Sequence, residues 1–112
     1  MRLSFKLPAL VLILGALFGS ITAATSDQKP PVSQTHTVVI RGFQFTPTRL
    51  EVAAGDTVIW KNEDIVPHTA KRVFDSKNLD NGQSWIYVTK KKGTFPYICT
   101  YHPTMKAELV IK

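Results

Sequence analysis

No stretch of this chain keeps a helical period over three turns. From Thr35 onward it is a train of short β-rich runs broken by turn residues. The runs are THTVVIR ending at Gly42, FQFTPTRLEVAA ending at Gly55-Asp56, TVIWKN, SWIYVTK, GTFPYICTY and KAELVIK. Between TVIWKN and SWIYVTK lies a less regular stretch, where FDSKNLDNGQ offers at most one turn of helix. Runs this short and closely spaced predict an all-β fold over residues 35–112. The expected form is an antiparallel Greek-key β-sandwich of about seven or eight strands. Alternation agrees, because Phe95, Tyr97 and Cys99 share one strand face, as do Leu109 and Ile111 on the last strand. Phe43, Phe45, Trp60, Trp85 and Tyr87 read mainly as core packing. Pro96 has no N–H for a ladder, so its strand should bulge or lie at an edge.

The first 24 residues read as an address rather than structure. Arg2 and Lys6 precede an uncharged run from Leu7 to Ser26, with an apolar heart from Leu10 to Phe18. Small residues follow at Thr22, Ala23 and Ala24. This is the pattern of a secretory signal peptide over residues 1–24. The uncharged run approaches the length of a bilayer span, so an uncleaved membrane anchor is the alternative; Pro8, Gly15 and Gly19 favour removal. Residues 25–34 are polar, contain Pro30-Pro31, and read as a flexible N-terminal tether. An exported remainder of about 88 residues excludes a cytosolic protein and a multidomain enzyme.

Loss of Arg2 and Lys6 takes 14 basic residues to 12 against 8 acidic ones, near +4. An exported chain rarely meets DNA, and these lysines are not interleaved with base-stacking aromatics, so nucleic acid is not expected as a partner. The surplus suits steering towards an acidic protein or an anionic membrane surface, or simply a soluble exterior.

Cys99 is the only cysteine, so it has no disulfide partner within the chain. Its neighbours give it a different use. Cys99-Thr100-Tyr101-His102-Pro103-Thr104-Met105 places a thiolate, an imidazole and a thioether within seven residues, in a tight loop joining two expected strands. A second imidazole, His68, lies 31 residues earlier, and Greek-key topology can bring such loops to one end of a sandwich. Singly, each residue has a duller role in the core or at the surface. Jointly, two imidazoles, one thiolate and a weak thioether describe a blue-copper site. Zinc fits poorly, since thioether is not among its usual ligands and no carboxylate is expected to neighbour the loop. A Cys–His enzyme lacks an orienting third group and leaves Met105 idle, so no enzymatic activity is expected.

The segments FTPTRLEVAAGDTVIWKNEDIVPHT and GTFPYICTYHPTM, with two-residue spacers on either side of His102, resemble a cupredoxin of the amicyanin and plastocyanin branch. The resemblance spans Val38 to Lys112. It implies one type 1 copper ligated by His68, Cys99, His102 and, axially, Met105. It also implies a monomeric periplasmic carrier of single electrons, with copper delivery or sequestration as the alternative. Partners would be redox proteins, such as a c-type cytochrome or a dehydrogenase. They would dock transiently near an exposed His102 edge, on Val66, Pro67, Tyr101 and Pro103. Read from the residues themselves, Lys71, Arg72 and the Lys90-Lys91-Lys92 run are either a source of added steering or simply a solvated face. Thr69 stands where the family often has asparagine, but its amide could still donate to the Cys99 sulfur. Asn62 is a further candidate for fixing the ligand loop. His36, near the tether, is expected to be exposed and unliganded.

Overall fold

The computed structural model describes residues 32–112; the expected signal peptide and the tether as far as residue 31 lie outside the described residues. Seven strands follow in order: β1 (Thr35–Arg41), β2 (Gln44–Thr46), β3 (Arg49–Val52), β4 (Thr57–Asn62), β5 (Ser84–Val88), β6 (Gly93–Ile98) and β7 (Lys106–Ile111). They form two sheets, ordered β2-β1-β4-β5 and β3-β7-β6. Alternate residues feed the space between them: Val38 and Ile40 from β1, Val58 and Trp60 from β4, Tyr97 from β6, and Leu109 and Ile111 from β7 are all buried. Trp60 sits at the centre, its ring 5.4 Å from Trp85, 5.5 Å from Tyr97 and 5.2 Å from Phe74. Fully burying an aromatic of this size is worth about 3–5 kcal/mol against truncation to alanine.

The sheets are mixed, which corrects the expectation of a wholly antiparallel sandwich. β1 runs parallel to β4, and β3 runs parallel to β7. The cause is the crossing at Pro47-Thr48. β3 enters the second sheet and carries the chain back to the end where β1 began, so β4 must re-enter the first sheet in the direction of β1. The run FQFTPTRLEVAA is therefore two strands in two sheets. β6 is an edge strand with unbroken register to β7, so Pro96 lies at an edge without a bulge.

No helix forms among the described residues, and FDSKNLDNGQ, which offered at most one turn, forms none. Its short polar side chains bond the backbone in competition with a helix. Asp75 accepts from the Lys77 amide, and the Ser76 hydroxyl accepts from the Ala70 amide and donates to the Lys77 carbonyl. The last tether residue is also not free: Gln34 donates its amide to Asp56 and accepts from the Thr57 amide.

Strand directions assign each connection except the Pro47-Thr48 crossing to an end. Three segments meet at one end: the Gly42-Phe43 turn after β1, residues 63–83 between β4 and β5, and residues 99–105 between β6 and β7. The opposite end holds Gln34, His36, the Ala53–Asp56 turn, Lys90-Lys91-Lys92 and Lys112.

Candidate metal centre

All four expected ligands lie in or beside the loops of the first end. His68 and Cys99 are fully buried and already face each other, with His68 Nδ1 3.7 Å from Cys99 Sγ. The loop ahead of His68 is fixed by Asn62, itself fully buried. Asn62 Nδ2 donates to the carbonyls of Val66 and Leu79, each at 2.8 Å, and Oδ1 accepts from the Asp64 amide. Backbone pairing between His68 and Leu79 in both directions completes the hold. Asn62 is thus the loop-fixing residue that its place in the sequence suggested.

The Cys99 loop is tied to the His68 loop through Thr69. The Thr69 amide donates to Cys99 Sγ at 3.3 Å. Its hydroxyl oxygen accepts from the Thr100 amide at 2.8 Å and pairs with the Thr100 hydroxyl at 3.0 Å. Threonine here supplies a side-chain link where the family often uses asparagine. Within the 99–105 loop, the Met105 carbonyl accepts from Cys99, the Cys99 carbonyl from His102, and the His102 carbonyl from Met105. This closed set of turns keeps His102 and Met105 beside Cys99. Met105 is buried, and His102 is half-buried with its ring centroid 5.1 Å from that of His68. His68 is thus enclosed, whereas His102 is more accessible.

Two residues that matter here were not legible as site residues. Asp64 Oδ2 lies 2.8 Å from His68 Nε2 and occupies that nitrogen, leaving Nδ1 for the Cys99 side. A carboxylate thus does neighbour the site, on the remote face of a histidine rather than among the ligand atoms. The available signal was its place four residues before His68. Burial works against ionisation of Asp64, but amide bonds from Phe43 and Gly42 and the His68 contact outweigh it and hold the carboxyl below its usual range. Phe43 is the second omission. Rather than packing in the core it is half-exposed, and its ring meets His68 at 5.3 Å and His102 at 4.9 Å, edge-on in both cases.

His36 departs from expectation in the other direction. It is partly buried, and its Nε2 lies 2.9 Å from Asp56 Oδ2 at the far end of the sandwich. Among the described residues, no three His, Cys, Asp or Glu side chains are gathered as a closed metal cluster. His68 Nδ1 and Cys99 Sγ are nevertheless preset on one buried point, with an imidazole and a thioether next to them. That donor set fits a soft, thiolate-preferring ion such as copper better than a hard one.

Comparison with known proteins agrees. A family profile described as "Cupredoxin-like domain" matches residues 9–111. Amicyanin-alpha of Methylorubrum extorquens is 28% identical over 98 residues, which cover 80% of this chain and 82% of that protein. Plastocyanin of Vicia faba is 28% identical over 79 residues, covering 54% of this chain and 78% of the relative. A solved amicyanin mutant in its Cu(I) form superposes with a TM-score of 0.65 at 27% identity, covering 68% of this chain and 80% of that one. With a two-sheet sandwich, a cysteine facing a histidine at its loop end, and a profile match along nearly the whole chain, this protein belongs to the cupredoxin-like family.

Proposed function

We propose that this protein is a small periplasmic type 1 copper protein that carries single electrons between redox partners. His68 through Nδ1, Cys99 through Sγ, His102 and the Met105 sulfur would hold the metal. The observation that supports this most directly is the 3.7 Å approach of His68 Nδ1 to Cys99 Sγ inside a fully buried pocket. Copper bound there would supply one-electron exchange between its Cu(II) and Cu(I) states.

The chain's own residues would keep that exchange easy. Asp64 fixes the His68 ring through Nε2, and the Thr69 amide donates to the sulfur, drawing charge from it. The buried faces of His68, Cys99 and Met105 exclude water. Electrons would enter and leave past His102, whose sequence neighbours Tyr101 and Pro103 are exposed, as is Pro67 beside His68 in sequence. Such a surface suits brief encounters that bury little area. In this reading residues 1–24 direct export, residues 35–112 form the working domain as a monomer, and a cytochrome or dehydrogenase serves as partner.

Adding Cu(II) to the purified metal-free protein tests the proposal. An intense blue colour is expected from charge transfer between the Cys99 sulfur and the metal. Cys99→Ala should abolish it, and His36→Ala, at the opposite end, should leave it unchanged. A protein that stays colourless with stoichiometric copper contradicts the assignment.

A further inference from the structure

Phe43 occupies a backbone conformation that bulky residues avoid. Gly42 and Phe43 have φ of 61° and 60°, and they form the two-residue turn that closes Arg41 onto Gln44. Positive φ at both central residues gives the tight primed turn that matches strand twist. Glycine takes this readily, whereas phenylalanine is strained there. Something holds it: the Gly42 amide donates to Asp64 Oδ1 at 2.7 Å, and the Phe43 amide to Oδ2 at 3.0 Å. Oδ2 is also the atom that meets His68 Nε2. One carboxylate therefore fastens the turn and orients His68 together. The strained turn directs the half-exposed ring edge-on against both imidazoles. Phe43 and Met105 also both line a cavity of about 300 Å³.

We propose that Phe43 is a positioning residue for the metal centre, an aromatic strut clamped by Asp64 that keeps the His68 and His102 rings in place. This rests on the copper reading above. Strain concentrated at one half-exposed aromatic, with its turn amides tied to a ligand's own partner, has no counterpart in what the hairpin needs for folding. Asparagine would close the same turn with less strain.

The test is the rate at which the blue Cu(II) protein loses its metal to excess EDTA, followed in Phe43→Asn, Phe43→Tyr and Asp64→Asn. Asparagine keeps the turn and removes the ring, and loss of two aromatic contacts should speed release by about tenfold. Phe43→Tyr restores the ring and should return the rate towards that of the native chain. In an Asp64→Asn background, Phe43→Asn should add little, because the clamp that aims the ring is already gone. Release from Phe43→Asn at the native rate overturns the proposal, and so do fully additive effects of the two substitutions. In the metal-free native protein, NMR should show contacts from the Phe43 ring to ring protons of both His68 and His102. Their absence also overturns the strut, even if a variant fails to fold. A protein that never turns blue defeats the copper reading instead, and the metal-free contacts still judge the strut.

Discussion

His36 and His68 each present Nε2 to a carboxylate, at 2.9 Å and 2.8 Å respectively, yet their surroundings give the two pairs different consequences. His68 has Cys99 at its other nitrogen; His36 stands at the far end, where Asp56 gathers the tether, β1 and the β3–β4 turn. The Gln34 amide, the His36 ring and the Ala53 amide all bond Asp56 and draw its carboxyl down from 3.8 to about 2, against a smaller opposing effect of burial. The sign follows from linkage. A depressed folded-state value means that Asp56 contributes its full stability above pH 3.8 and loses it as pH falls through about 2. Melting of the metal-free protein at successive pH values should therefore show stability falling steeply across that window. Asp56→Asn should flatten the fall and leave a smaller one, because Asp64, Asp75 and Glu51 are lowered too. An unchanged slope in the variant would show that these hydrogen bonds do not distinguish the folded from the unfolded chain.

Among the elements, the 63–83 connection carries His68 without a helix or a long strand of its own, so its shape depends on a few buried polar contacts. Asn62 is the chief of these. Asn62→Ala would strip the Val66 carbonyl and the Asp64 amide of their partner, while Leu79 O keeps the His68 amide. Buried groups left unpaired make this cost about 2–3 kcal/mol. For a domain of this size that lowers the thermal midpoint by roughly 10–20 °C. Thermal unfolding of the metal-free variant measures it, and a fall of less than about 3 °C would mean that the loop is held elsewhere. The strands themselves were legible because alternation and turn residues are local signals: β1, β4 and β7 lie where THTVVIR, TVIWKN and KAELVIK stand. Pairing direction was not, since the parallel partnership of β1 with β4 depends on β3 crossing to the other sheet. His68, Cys99, His102 and Met105 could be named from ligand chemistry and spacing. Phe43 could not, because its orientation follows from two positive φ values and a carboxylate 21 residues away.

At the scale of the whole molecule, the sandwich separates its chemistry from much of its charge. β6 spans six residues between Lys90-Lys91-Lys92 ahead of its start and Cys99 just beyond its end, which puts Cys99 roughly 23 Å from Lys92 along the strand. The Debye length at 0.1 M salt is about 10 Å, so the lysine run is largely screened from a partner docked at the metal end. This changes its expected role: the run belongs to the opposite end and adds little local steering. Lys71, nearer the site, already pairs with Asp75 at 3.5 Å. The metal end instead exposes apolar side chains, with Ile65 at 90% and Tyr101 at 49% beside exposed Pro67 and Pro103. Electron self-exchange between two copies of the copper-loaded protein tests this division without a named partner, since two copies would have to bring these ends together. Ile65→Asp places a charge where two apolar patches meet, and it should slow self-exchange by about tenfold or more, the equivalent of about 1.4 kcal/mol. Replacing Lys90, Lys91 and Lys92 together with glutamine should change the rate by less than about twofold at 0.1 M salt. NMR line broadening in mixtures of oxidised and reduced protein gives both rates. If the lysine variant altered exchange more than Ile65→Asp did, contact would lie at the other end of the sandwich, and the metal-end patch would lose its role.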